Sequence, residues 1–516
     1  MLEILLSNDW VAGRDEILRL VSEDVIACRG GAILLVPELV SHDMERRLCE
    51  WAGDSACRYA EVLSFPRMVK RVQEYTRCGT PECLDEGGRI VAMAHAARQL
   101  HSRLKAYASV ETKPEFLKQL VEAVDEFKRC CVTAKDLQWA SAQCEGVFAQ
   151  KLEELALLME AYDSLCQRGK RDPRDQMNWL LEQLEDCDFA ANHTLYVDGF
   201  PDFTRQHMAI LEHFIGSCPK VVISLNCDKI GTTALSMEKA GQTASQIVKA
   251  AKMAGVDCTD RFVPSKRTKL APVWKGLFQG SIVAGEECRD RISLYYTNSV
   301  HKACEAAVEQ VLRYVRKGCR YRDISIVCTD MAAYGDTLSR MMRRCSIPAY
   351  QSGTDEVLSN CVMTTILSAM RCALGGYDRK DLMQYVKSVL SPLNMDTCDL
   401  VENYTYIWSI SGTQWKSEWT NHPRGLGEQL TEGDIKLLKR LNDARVQVIT
   451  PLQNLTRGFQ NAKNVQEQVK ALYSFLEDIN FARRMEMLAK DMHRAGDGRS
   501  AQILNQLWDI LISSLE

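Results

Sequence analysis

Apolar positions along the chain fall into two kinds of run. The first kind is short and nearly continuous: the opening MLEILL, then GAILLVPEL (Gly31 to Leu39), AEVLSFPRM (Ala60 to Met68), HTLYVDGF (His193 to Phe200) and KVVISLNCD (Lys220 to Asp228). Runs of this length, ended by turn-forming residues, predict strands buried on both faces of a parallel sheet. The second kind repeats at helical spacing. From about Gly88 to Cys166 it dominates, in RIVAMAHAARQLHSRLKAYA, PEFLKQLVEAVDEFKRCC and GVFAQKLEELALLMEAYDSLC, and predicts a helical insertion. Strand-like runs return in RISLYYTNS (Arg291 to Ser299) and YRDISIVCTD (Tyr321 to Asp330), with a helical pattern between them. Beyond about Thr364 the pattern is helical again, broken by SGTQWKS and NHPRGLG, and it closes on NQLWDILISSLE with no helix stop signal. The expected fold class is α/β. Residues 1–80 and 170–285 form a first lobe, 81–169 a helical insertion, 286–375 the start of a second and incomplete lobe, and 376–516 a helical subdomain, within what is expected to be a longer chain.

Composition narrows the function only slightly. The 516 residues are 46% hydrophobic and 26% charged, ordinary globular content with room for roughly two to four domains. A net charge of −4 leaves no global basic footprint, so a nucleic-acid partner would be held by local patches. The 21 cysteines include no C-x-x-C pair, and none of the nine histidines has a histidine four positions away, so common zinc spacings are missing. They read as ordinary thiols of a reducing cytosol. The start lacks the basic and apolar regions of a secretion signal, and no apolar run approaches the roughly 18 residues of a membrane span.

The chemistry is expected where strands end. In LSNDWVAGRDEIL a short apolar run leads into a loop and then a helical pattern, the layout of a phosphate-binding loop without its G-x-x-x-x-G-K-[ST]. Aligning Gly13-Arg14-Asp15 with the end of that motif puts Asn8 in place of the first glycine, Arg14 in place of the lysine and Asp15 in place of the magnesium-binding hydroxyl. A carboxylate there repels a triphosphate, and asparagine lacks the backbone freedom of glycine.

Two α/β lobes, each with an inserted helical part, resemble the RecA-like lobes of superfamily 1 helicases. These carry D-E-x-Q-D at a strand end, where the aspartate serves magnesium and the glutamate deprotonates water. LYVDGFPDFT keeps Asp198 but has Gly199 in the glutamate position and Pro201 in the glutamine position. The reading is a helicase-shaped lobe without hydrolysis and without a catalytic residue of its own.

Six segments in order, ILLVPELVSHDMERRL, AEVLSFPRMVKRV, DEFKRCCVTAKDL, LYVDGFPDFTRQ, KGCRYRDISIVCTD and CSIPAYQSG, resemble the AddB/RexB subunit of bacterial AddAB helicase-nucleases, as far as about residue 390. The resemblance implies a degenerate motor that joins an active AddA subunit in double-strand break repair, and lobes that scan single-stranded DNA for the Chi signal. It also implies a C-terminal nuclease domain with magnesium and an iron-sulfur cluster, expected beyond Glu516, and no cofactor within this segment. Double-stranded DNA is a further partner, and a membrane is not. Matched to the family pattern, Ser41, Phe65, Arg67 and Phe200 stand among strand contacts, whereas Leu39 and Lys70 stand where other members use different side chains.

Aromatic stacking, worth roughly 1–3 kcal/mol per base, together with cations is the chemistry that holds a single strand. Phe65, Arg67, Lys70 and Arg71 follow one predicted strand end, and Phe200 and Phe203 another. Both ends belong at the carboxyl edge of the sheet, where open α/β sheets bind ligands. The local D/E-x-K pattern at Glu111 and Lys113 precedes a proline in a helical region and is not expected to be a nuclease motif. Two other readings stay open here: an autonomous ATP-dependent helicase using Arg14 in an altered loop, and a helical interaction module without a DNA role.

Overall fold

The computed structural model describes all residues except 80–81, 109–112, 266–272, 274–290, 352–356, 358–359, 427–428 and 516. Two compact units divide at Leu294 and Tyr295.

The first unit is built on six parallel strands: β1 (Leu2–Leu6), β2 (Ala32–Leu35), β3 (Ala60–Leu63), β4 (Thr194–Val197), β5 (Val221–Leu225) and β6 (Cys258–Phe262). They lie in the order β3-β2-β4-β5-β1-β6. Alternation along each strand decides its two faces. Leu2, Ile4 and Leu6 of β1, Ile33 and Leu35 of β2, and Leu195 and Val197 of β4 point into one apolar layer. Leu5, Leu34 and Tyr196 point into the other. The first layer is covered by α3 (Phe65–Thr76), α8 (Gln176–Glu185), α9 (Arg205–Ser217) and α10 (Glu238–Met253). The second is covered by α1 (Trp10–Ile26) and α2 (Ser41–Ala52). This is a helicase-like α/β fold with helical insertions.

Strand limits are tighter than the apolar runs. Only Ala32–Leu35 of the second run and Ala60–Leu63 of the third join the ladder. In the third run Ser64 caps a helix that starts at Phe65 with proline in its first turn, so the apolar pattern crosses a strand-to-helix boundary. β6, with the sequence CTDRF, carries no apolar run at all. It pairs with β1 as an exposed edge strand, where Arg261 meets Glu3 and Glu16.

Between β3 and β4 the chain forms α4 (Glu86–Gln99), α5 (Pro114–Arg129), α6 (Ala134–Ala142) and α7 (Gly146–Arg168). These helices enclose a core of their own, including Met93, Leu120, Val124, Met159 and Tyr162. An isolated bridge from Cys83 to Arg171 closes the base of the insertion.

Among the described residues the second unit is helical. Helices Val300–Arg316 and Met331–Arg344 share a small cluster of Val308, Val311, Met342 and Ile347. The helices from Cys361 onward share a larger core around Tyr385, Tyr404, Trp415 and Phe475. Among the described residues the second sheet, expected to be incomplete, shows no ladder: residues 324–328 carry no strand pairing, nor do residues 292–297, which straddle the division between the units. Two such segments fall short of the three strands and buried face that make a sheet stable, and Leu294, Tyr296 and Val327 stand exposed.

Candidate functional site

At the carboxyl edge of the sheet, side chains from the segments that follow β1 and β4 meet across the end of β5. Leaving β1, the Ser7 hydroxyl donates to Val263 O (2.9 Å) and accepts from Asp9 N–H (3.1 Å). Asp9 then caps α1, its Oδ1 accepting from Val11 N–H at 3.0 Å and its Oδ2 from the Ser265 hydroxyl at 2.6 Å. A helix N-terminus with free N–H groups attracts phosphate; here a carboxylate of the chain takes that place. Asn8 Oδ1 adds a buried acceptor without a hydrogen-bond partner among the described residues.

One turn further on, Arg14 is buried. Its Nε donates to Asp198 Oδ2 at 2.9 Å, and its guanidinium lies 4.8 Å from the centre of the Trp10 ring. Burial pushes the Asp198 carboxyl above the usual range, opposed by the Arg14 guanidinium, the Ser224 hydroxyl and the Gly199 N–H, which favour its charged form. Gly13 has a packing reason to be glycine, since a Cβ there would stand 2.6 Å from Ser224 Oγ. Gly199 has φ +84°, and a Cβ on it would meet Pro37 Cδ at 3.2 Å and Arg14 Nη2 at 3.6 Å. A glutamate in that position is therefore opposed by both backbone and space. Asp15 is half-buried on α1. The triphosphate that a helicase-like lobe implies, and the magnesium it would bring, do not fit these residues: Arg14 is already paired with Asp198, and the Asp9 carboxylate sits at the helix N-terminus where a phosphate would lie.

The segments beyond β3 and β4 meet in an aromatic ladder. Phe65, buried at the start of α3, stacks on His207 with centroids 3.9 Å apart and meets the edge of Phe200 at 5.7 Å. Phe200 in turn lies 5.1 Å from Phe203. Burial, then Arg129, pushes His207 down to about 4, so it packs as a neutral ring. Phe65 is thus engaged inside the protein, one face on His207, while Phe200 and Phe203 are half-exposed. Ser41 is buried at the start of α2, donating to Glu38 O at 2.9 Å. Arg67 is held by Glu45 at 2.6 Å and Glu38 at 3.6 Å, and Arg71 by Glu61 at 2.8 Å. Lys70 is exposed, as is Leu39.

The structure thus joins Phe65, Phe200 and Phe203 in one ladder, and Arg14 and Asp198 in one buried pair beside the exposed Gly199. Two cations near the ladder escaped the sequence reading. Arg205 begins α9 directly after Thr204, which accepts from His207 N–H and caps that helix. The DGFPDFTR stretch held that signal. Arg129, at the end of α5, reaches His207 only through folding of the insertion. Glu111 lies outside the described residues, and Lys113 precedes α5.

A sequence profile described as "ADDB, N-terminal" matches residues 15–273. The chain belongs to the AddB N-terminal family. Relatives in the AddB family extend the likeness across the second unit. A protein of Thermoanaerobacter sp. (strain X514), named as the B-type subunit of an "ATP-dependent helicase/deoxyribonuclease", is 26% identical over 503 residues, covering 94% of this chain and 43% of its own length. Proteins of the same name from Caldanaerobacter subterraneus subsp. tengcongensis and Clostridium botulinum (strain Loch Maree / Type A3) are 23% and 24% identical, each over 94% of this chain and over 43% and 44% of their own lengths. The chain spans less than half the length of these relatives. Among the described residues no helix is long and apolar enough to cross a membrane, and no three His, Cys, Asp or Glu side chains are grouped to hold a metal ion.

Proposed function

We propose that this chain is the N-terminal, non-hydrolysing part of an AddB-type subunit of a helicase-nuclease, which joins an AddA-like motor in double-strand break repair and guides single-stranded DNA across the carboxyl edge of its sheet while Chi is sought. The observation that carries the non-hydrolysing part is the buried Arg14–Asp198 pair beside Gly199. Catalysis of phosphoryl transfer needs a cation free for the phosphates and a base for the water; the cation is spent on Asp198 and the base is replaced by a left-handed glycine. Support for the DNA part comes from family membership and from the half-exposed ladder of Phe200 and Phe203, with Lys70 and Arg205 exposed on α3 and α9. The strand would stack on Phe200 and Phe203 rather than on Phe65, and the cytoplasm is the compartment in which such a complex meets broken DNA.

The test uses the chain alone and assembled with an AddA-like partner. The chain alone is expected to show no ATPase above a contaminant control, with or without single-stranded DNA. Installing the missing base by Gly199→Glu is expected to give none either, and to lower stability by about 1–3 kcal/mol through the backbone alone. Turnover by the unaltered chain that vanishes in Arg14→Ala would overturn this function.

A further inference from the structure

The first unit holds separate apolar cores under the sheet and inside the α4–α7 bundle. Buried charge connects them. Arg89 of α4 donates from Nε to the Tyr162 hydroxyl at 3.2 Å, pairs with Asp125 of α5, and reaches Asp172 at 3.2 Å. Lys128 of α5 lies 2.9 Å from Asp163 of α7, 3.1 Å from Asp172 and 2.7 Å from Asp175. Arg174 Nε donates to Asp125 at 2.9 Å, and its N–H to Asp172 at 2.9 Å. The segment carrying Asp172 and Asp175 leads into α8, and Gln206 of α9 donates to Arg174 O at 3.3 Å. Arg89, Lys128 and Asp172 are each more than nine-tenths buried. Every carboxylate here already faces a cation, so the cluster is a set of ion pairs and not an acidic cation site.

We infer that this cluster is the joint that sets the orientation of the α4–α7 bundle on the sheet lobe, with Asp172 as its pivot, and that neutralising Asp172 frees the bundle while both cores stay folded. Apolar contact has no preferred direction, whereas charge-assisted hydrogen bonds fix distance and angle. Asp172 meets α4 through Arg89 and α5 through Lys128 while belonging to the chain that enters the lobe. Without its charge, Arg89 and Lys128 are buried cations short of a partner, a state relieved by opening toward water. The Lys128–Asp175 and Arg174–Asp125 pairs, on the more exposed side, and the backbone bonds around the Cys83–Arg171 bridge then remain as looser tethers.

Hydrogen–deuterium exchange on the full chain tests this. In Asp172→Asn, the amides at the joint itself, Leu84, Arg171 and Arg174, are expected to exchange at least about tenfold faster, with those inside α7 and in β1, β4 and β5 unchanged. Unchanged exchange at the joint, or equal loss of protection in the sheet or the bundle core, would overturn the inference. Should that variant fail to accumulate folded, Arg174→Gln decides, because Arg174 is the most exposed member. A severalfold rise confined to Leu84 and Arg171 supports the joint, and no rise refutes it.

Discussion

The loop that leaves β4 serves two sites of opposite character. At its start, Asp198 is buried and answered by Arg14, with Gly199 packed on Pro37. A few residues on, Phe200 and Phe203 lean on a buried phenylalanine yet keep part of their rings in solvent. The first site satisfies its charges within the chain. The second has its inner face satisfied and its outer face open. On the proposed function, a helicase-like lobe loses its nucleotide chemistry by internal pairing while its ligand-facing edge stays available.

The contrast breaks most readily at Arg14. Arg14→Ala is expected to cost about 3–5 kcal/mol in urea unfolding, because it leaves a buried carboxylate uncompensated, whereas Arg14→Leu with Asp198→Leu should recover much of the loss. The sign of its pH dependence follows from Asp198, whose carboxyl is raised on folding. The folded state then binds more protons than the unfolded one as pH climbs from the ordinary carboxylate range to the raised value, so stability falls with rising pH there. Arg14→Ala should steepen that fall; a variant as stable as the parent at neutral pH would show the pair to be idle.

Next comes the aromatic ladder. Phe65→Ala is expected to cost about 3–5 kcal/mol of stability as a core truncation. Phe203→Ala should leave folding nearly intact and weaken single-strand binding by about 1–3 kcal/mol. An equal loss of stability in both variants would merge the two sites into one core and remove the contrast.

A smaller effect is expected at His207, lowered on folding from 6.5 to about 4. Here the unfolded state binds more protons between those values, so stability is lost as pH falls through that window. His207→Phe keeps the stack on Phe65 and should flatten this part of the pH–stability curve. The smallest concerns Lys70 and Arg205. Replacing either by alanine should weaken DNA binding equally for all sequences and reduce the salt slope by about one; an unchanged slope in the double variant would move the strand elsewhere.

Much of the lobe was legible because its strands are buried on both faces and therefore written as apolar runs, as in AILL of β2 and VVISL of β5. β6 was illegible for the converse reason: as an edge strand its side chains face water, and CTDRF is recognisable only by its pairing with β1. The ends of strands misled in another way. AEVLSFPRM reads as one largely apolar run, yet its second half is helix, because Ser64 offers a side-chain acceptor to Arg67 N–H. Arg67 itself read as a strand contact, with no sign of the carboxylates beside it. The partners that hold it, Glu38 and Glu45, lie on segments that only the β2-to-α2 connection brings alongside α3.

By itself the sequence determined where continuous burial occurs, where helices start, and that a glycine follows the aspartate at the end of β4, since each is a property of a few adjacent residues. Tertiary structure decided what those residues meet. Arg14 and Asp198 lie 184 positions apart, and Phe65 becomes core only because α9 lays His207 on its face. The edge place of β6 depends on a strand more than 250 positions earlier. Local patterns report whether a side chain is covered. Which charge or ring covers it depends on contacts between distant segments, and on these rests whether an arginine is a ligand for phosphate or the counter-ion of a buried aspartate.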